Sequence, residues 1–381
     1  MKRVLAMTFH GAHNYGSVLQ AYALQEAILE IGRKFSVETD FKIINYRTQN
    51  QKRIYDLDNR HKGIKGVIKN IIQLPYRSQL KEKYRKFEEF INGQLHVTEE
   101  ISIIEDDCFN GDYYISGSDQ VFNIRCEDFD WHYLLDFTRK PKISYAASCG
   151  PLKINWDMYD KGRYSRLIHK YEYLSAREEE SKKTLCDLSG KECDIHIDPT
   201  LLIDSEIWQK LINRRKYNTD EYIFFYCLEP TRKQIKLVYE ISKVLHLPVV
   251  IAGYYNKYDY LNRFEKNYDT GPLDFLFLIN TAKLVLTSSF HGTAFSVNFK
   301  KPFFVFDGIK DNRIQTLLNK SKLESRSVDV NDPKIDYGKA FDVDFTSSCG
   351  MLRTERERSS EYLARSLGYI NDKGGSEYGN K

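Results

Sequence analysis

No run of about 18 apolar residues occurs in the sequence, which excludes a helix that crosses a bilayer. The opening MKRVLAMTFHG has a basic pair, but its apolar stretch is too short for a signal-peptide core, so no secretory leader is expected. Paired cysteines are missing too. The seven present are odd in number and scattered, with no CxxC, which argues for reduced thiols in a cytoplasmic protein rather than a disulfide framework. Several chemical signatures are also absent: the GxGxxG of a dinucleotide site, the GK[ST] ending of a P-loop, the GxSxG elbow and any zinc-ligand spacing. Nor is there a marked excess of one charge. The net value of +4 is too mild to imply nucleic acid as a partner.

What is present is ample for folding. The 381 residues fit two domains better than one, and 41% hydrophobic with 29% charged residues is the composition of a soluble globular protein. Only GGSEYGNK (374–381) reads as a flexible tail. Aromatic residues make up 14%, including 27 tyrosines; such rings serve sugar sites and large cores alike. RVLAMTF (3–9), a helical pattern over 17–31 and FKIINY (41–46) form a βαβ opening, which predicts a parallel sheet. Strand candidates continue at 112–116, 142–148, 172–176 and 194–197. SEIWQKLINRR (205–215) reads as a bridging helix. A second series follows, with strands at 222–228, 248–253, 283–288 and 302–307, helices at 231–245 and 273–282, and one starting from Thr293.

Two doubly wound α/β domains facing a cleft are therefore expected. The boundaries are 1–204, with a basic helical insertion at 51–92, and 205–345. A last helix within 346–373 packs back across the domains.

In such sheets ligands sit beyond the carboxyl ends of the strands, so four loops matter. HGAHNYGSVLQ (10–20) opens the first helix, with Gly16 for an unusual backbone and Ser17 as a cap. Its His10 and His13 lack a third ligand nearby, so no metal site is expected. ISGSDQVFN (115–123) gathers hydroxyls around Asp119, which suits either a base or a cap. LSAREEES (174–181) sets Arg177 at a strand end, either to fork an anion or to pair with the glutamates beside it. TSSFHGTAFS (287–296) surrounds His291 with Ser288, Ser289, Gly292 and Thr293, ahead of a helix whose free amides suit an anion. The DxD triplets at 128–130 and 342–344 are set aside as chance in acidic stretches.

Six motifs in order give the sequence a family likeness. They are TFHGAHNYGSVLQAYALQ (8–25), SGSDQVFN (116–123), SYAASCG (144–150), SAREEES (175–181), IDPTLLI (197–203) and TSSFHGTAFSVNFKKPF (287–303). Together they resemble the polysaccharide pyruvyltransferase family over roughly residues 1–310. The resemblance implies two Rossmann-like domains like those of GT-B glycosyltransferases. It implies transfer of pyruvate from phosphoenolpyruvate, a co-substrate rather than a cofactor, to two hydroxyls of a sugar as a cyclic ketal. The implied acceptor is a lipid-linked oligosaccharide intermediate of capsule, exopolysaccharide or cell-wall polymer. Carried over residue by residue, His291 is the acid and Asp119 the base or an acceptor ligand. Arg177, Ser288, Ser289, Gly292 and Thr293 hold phosphoenolpyruvate, while Asn14, Tyr15, Gly16, Ser118 and Gln120 face the acceptor. Some members carry an arginine where this chain has Ser289, and Arg313 in DNRIQTLL (311–318) is the expected replacement.

A nucleotide-sugar glycosyltransferase and a non-catalytic relative are the competing readings. The segment 51–90 carries eleven Lys/Arg against five Asp/Glu. Within it Lys62, Lys65 and Lys69 interleave with Ile64, Val67, Ile68, Ile71 and Ile72. This pattern fits peripheral contact of 62–90 with an anionic membrane, on the inner face of the plasma membrane, or a core helix with a solvated basic face.

Overall fold

In the computed structural model, which describes residues 1–58, 63–212, 221–253 and 264–370, the short apolar runs become strands buried on both faces. That is the pattern parallel sheets require, because crossover helices cover each side. The first sheet comprises β1 (Lys2–Met7), β2 (Thr39–Ile43), β3 (Tyr113–Asp119), β4 (Lys142–Ala147), β5 (Ser175–Ala176) and β6 (Asp194–Ile195). The second comprises β7 (Ile223–Tyr226), β8 (Val249–Ala252), β9 (Glu265–Asn267), β10 (Leu284–Thr287), β11 (Phe303–Phe306) and β12 (Ser327–Val328).

All pairings within both sheets are parallel. The spatial orders are β2-β1-β3-β4-β5-β6 and β12-β11-β10-β7-β8-β9. Each order reverses once, between β1 and β3 in the first sheet and between β7 and β10 in the second. Loops leaving the two strands at such a reversal diverge and open a crevice at the carboxyl edge.

In chain order the helices are α1 (Tyr15–Lys34), α2 (Gln49–Tyr55), α3 (Ile64–Gln73), α4 (Arg77–Gln94), α5 (Lys161–His169), α6 (Glu179–Ser189), α7 (Pro199–Leu202), α8 (Ser205–Ile212), α9 (Arg232–Leu245), α10 (Pro272–Thr281), α11 (Phe290–Asn298), α12 (Asn312–Ser321) and α13 (Thr346–Ser366). The bridging helix expected over 205–215 is α8, and its last three positions lie outside the described residues, as does the expected tail at 374–381.

The two sheets share one core. Tyr15 of α1 stacks on Phe275 of α10 with ring centroids 4.6 Å apart, and its hydroxyl donates to the Thr270 carbonyl at 2.9 Å. Trp208 of α8 is fully buried, edge-on to Phe295 of α11 at 5.2 Å. α13 returns across both halves, packing on α1, α7 and α12, and the Tyr362 hydroxyl donates to the Ser144 carbonyl at 2.8 Å. One face is unusual. The apolar side chains of α3 point outward, which corrects the expectation of a core helix with a solvated basic face.

Candidate active site

The site is assembled from the strand ends at the two reversals. After β1 the chain turns, and the Asn14 side chain accepts the Gly16 N–H at 3.0 Å, capping α1. This puts Ser17 in the first turn, where its hydroxyl donates to Asp119 Oδ2 at 2.6 Å. Asp119 closes β3 in a left-handed conformation, φ 68°, and its Oδ1 accepts the Gln120 N–H at 2.9 Å.

Across the gap, β10 ends at Thr287, whose hydroxyl donates to the Tyr226 carbonyl and accepts the Ser289 N–H at 3.0 Å. Ser289 then caps α11 by accepting the Gly292 N–H at 3.5 Å. The helix therefore starts three residues before the expected Thr293, because the Ser289 hydroxyl supplies the cap. His291 falls in its first turn. Two glycines make this junction fit. A Cβ at Gly292 would stand 2.3 Å from Thr287 Oγ1, and one at Gly16 would stand 2.0 Å from His291 Nδ1. His291, from the second half, thus rests against the backbone of the first.

Between these ends lies a polar cavity of about 220 Å³. The first half contributes Asn14, Ser17, Tyr55, Asp119, Gln120 and Asp128, and the second contributes Ser288, Ser289, His291 and Arg313. Behind it runs a buried charge chain. Asp198 caps α7, with its Oδ1 accepting from the Thr200 N–H and hydroxyl at 3.0 and 2.7 Å. Its Oδ2 meets Arg177 Nη1 at 2.7 Å and His291 Nε2 at 3.7 Å. Arg177 Nη2 lies 4.0 Å from Asp119 Oδ1, so the order is Asp119, Arg177, Asp198, His291.

Burial opposes charge on Asp198, yet the His291 ring, the Arg177 guanidinium and the Thr200 amide hold its carboxyl well below the usual range. Arg177 is likewise held charged: burial works against it, but Asp198, Glu178 and Asp119 more than compensate. Nε2 of His291 and Nε and Nη2 of Arg177 are buried with no hydrogen-bond partner. Such unsatisfied donors invite a ligand or water.

The structure brings Asn14, Gly16, Asp119, Gln120, Ser288, Ser289, His291 and Arg313 together, Gly16 through its contact with His291. Arg313 stands on the wall with its guanidinium forked onto Asp311, the cap of α12. Five expectations need correction. Tyr15 is fully buried between the sheets and does not face the cleft. Ser118 is buried and gives its hydroxyl to the Ala146 carbonyl at 2.6 Å. Thr293 is buried and bonds the Ser289 carbonyl at 3.0 Å, and the Gly292 N–H is taken by the cap. Arg177 sits behind the cavity, not on its wall, with its guanidinium 4.4 Å from the centre of the Phe290 ring. It pairs with Asp198 more closely than with Glu178, whose Oε2 is 3.6 Å from Nε.

Two acidic residues were missed. Asp198 was legible as a helix cap in IDPTLLI. Asp128 stands in a DxD triplet of a kind that arises by chance in acidic stretches, yet it lines the cavity and accepts from the Tyr55 hydroxyl at 3.1 Å. Burial, with Asp119 and Glu127 nearby, pushes the Asp128 carboxyl up. His10 and His13 turn to Asn45 and Glu88, at 3.0 and 2.7 Å.

Comparison with solved structures gives the fold. S. aureus MnaA with UDP aligns over 100% of both chains at 10% identity, with a TM-score of 0.52. The Methanocaldococcus jannaschii UDP-GlcNAc 2-epimerase aligns over 97% of this chain and 100% of its own at 14% identity (TM-score 0.48). The E. coli heptosyltransferase WaaC aligns over 80% and 89% at 12% identity (TM-score 0.38). Among curated proteins, none matches the sequence. The family model described as polysaccharide pyruvyl transferase matches residues 14–308, a span that begins at Asn14 and takes in Asp119, Arg177, Asp198 and His291. On that match the chain belongs to the polysaccharide pyruvyl transferase family, whose role is pyruvyl transfer in polysaccharide biosynthesis.

Proposed function

We propose that the protein moves the pyruvyl group of phosphoenolpyruvate onto two hydroxyls of one sugar, leaving a cyclic ketal on a lipid-linked intermediate of a surface polysaccharide. The observation that carries this reading is the charge chain joining Asp119 to His291 behind one cavity. Adding an alcohol across an enol phosphate needs a proton donor for its methylene carbon and a base for the hydroxyl, and these two residues come from opposite halves of the protein. His291 protonates the methylene carbon, which leaves an oxocarbenium-like centre at C2. The first sugar hydroxyl bonds to that centre and gives its proton to Asp119. The second hydroxyl bonds to the same carbon as the C–O bond to phosphate breaks, and its proton leaves with inorganic phosphate.

Arg313, Ser288 and Ser289 suit the phosphate and carboxylate of the donor, since a guanidinium fork and a helix N-terminus both favour anions. Asn14, Gln120 and Asp128 suit acceptor hydroxyls. Asp198 and Arg177 are positioning residues that fix the ring and the base.

Incubation with phosphoenolpyruvate and a lipid-linked or soluble glycoside is expected to release phosphate and add one pyruvyl ketal to the sugar by mass. His291→Asn should slow transfer by about 10² to 10⁴-fold, the usual worth of a general acid, with the melting temperature kept. A wild-type rate in that variant would remove the histidine from the chemistry. Stabilisation by a nucleotide sugar and none by phosphoenolpyruvate would favour a glycosyltransferase instead.

A further inference from the structure

Helix α3 is amphipathic, yet it is mounted the wrong way round for a soluble protein. Its small and polar side turns toward the chain: Gly66 is buried, and Asn70 and Gln73 are half-buried. The Asn70 amide donates to Asp58 Oδ1 at 2.9 Å. Its apolar side faces out, with Ile64, Val67, Ile68, Ile71 and Ile72, and Leu74 just beyond, between 44% and 82% exposed. These residues follow helical spacing and form one continuous stripe, where soluble proteins usually scatter such side chains singly.

The charge around the stripe says what covers it. Between Asp58 and Glu82 the sequence has no acidic residue and six Lys/Arg. Arg77 and Lys81, at the start of α4, are exposed and follow Leu74 by three and seven residues. A second copy docked through the same face would bring two such basic sets together, which like-charge repulsion opposes. An anionic bilayer surface satisfies both features at once, taking the apolar side chains below its headgroups and the basic ones among them. The place also fits. Gln73 and Lys69 of α3 line a side cavity of about 110 Å³ with Tyr55, and Tyr55 is also on the wall of the main cavity.

We infer that α3 docks the protein on an anionic membrane surface, with the stripe inserted and the Tyr55 side of the main cavity turned toward the lipid. The inference deepens the proposed function and rests on it only for what the membrane delivers, a sugar on a lipid carrier.

The test is flotation of the full chain with vesicles of phosphatidylcholine, with and without phosphatidylglycerol. Binding is expected with phosphatidylglycerol, and at least about ten-fold less without it or at high salt. Ile68→Glu with Ile71→Glu should lower binding about ten-fold or more by removing apolar insertion, and Arg77→Glu with Lys81→Glu by reversing charge. All four positions are exposed and off the main cavity, so both variants should keep their melting temperature and full transfer to a soluble glycoside. No binding to either vesicle overturns the inference. So does a dimer in light scattering that the isoleucine variant converts to monomer, because a second copy then owns the stripe. Vesicle binding without any pyruvyl transfer would leave the docking intact and sink the proposed reaction. Transfer without vesicle binding would do the reverse.

Discussion

His291 owes its position to two absences of a side chain, at Gly16 and Gly292. A Cβ on residue 16 would come within 2.0 Å of Nδ1, so Gly16→Ala must displace the ring or part the two halves. Because a misplacement near 1 Å costs on the order of 10²-fold in rate, that drop in kcat is expected, with little change in the circular dichroism spectrum. A variant that keeps the wild-type kcat would show that the contact does not set the ring. Asp198 gives a second test. Its carboxyl titrates lower in the folded chain than in the unfolded one, so the folded form holds fewer protons and stability rises with pH across that interval. The contribution is complete above the ordinary carboxylate range, about pH 4, and is lost as the pH falls below it. Asp198→Asn leaves Arg177 buried beside a neutral amide. It should lose about 3–5 kcal/mol at neutral pH, the usual cost of breaking a buried pair. Below pH 4 its stability, followed by urea titration, should fall less steeply than that of the wild type.

Among the elements, α13 has the clearest energetic role. α7 is a single turn whose last carbonyls find no partner within it and take donors from α11 and α13; the Asn298 amide of α11 serves those of Thr200 and Ile203 at 2.8 and 3.2 Å. Arg356 of α13 bonds the carbonyls of Leu201 and Ile203 at 2.8 and 3.2 Å, and Asn298 Oδ1 on α11 at 3.0 Å. Arg356→Ala should cost about 2–3 kcal/mol by urea denaturation, the scale of charged hydrogen bonds left unmade. Lysine at the same place should recover only part of this, because it lacks the fork.

The parallel sheets were legible because strands buried on both faces read as plain apolar runs. β9 (Glu265–Asn267) was not, since a three-residue edge strand of polar side chains carries no such run. The start of α11 was misread because capping by Ser289 outweighs the hydroxyl-rich look of the stretch. The sequence offers Arg177 an anion to fork or the glutamates beside it, whereas its closest partner is Asp198, 21 residues away. It follows β5, and Asp198 follows β6; pairing of those strands brings the two side chains together, and no local window contains that fact. Tyr15 misled for the same reason: its environment is a helix of the other half.

At the scale of the whole molecule, one buried apolar cluster runs from Val4, Tyr15 and Leu24 to Phe224, Phe275 and Phe295, crossing both sheets. Unfolding should therefore be a single transition, with tryptophan fluorescence and circular dichroism changing together. Trp208, buried at the junction, is a suitable reporter. Two separated transitions would mean that the halves are energetically independent. If phosphoenolpyruvate is the donor, as proposed, the contact between Gly16 and His291 also bears on how the cell conserves it. Under the proposed chemistry the proton donor belongs to one half and the proton acceptor to the other. A nascent chain with only its first sheet folded, or a proteolysed half, can hold neither the pair nor the cavity. On that chemistry such fragments cannot discharge the proposed donor to water, and only the joined molecule opens its enol.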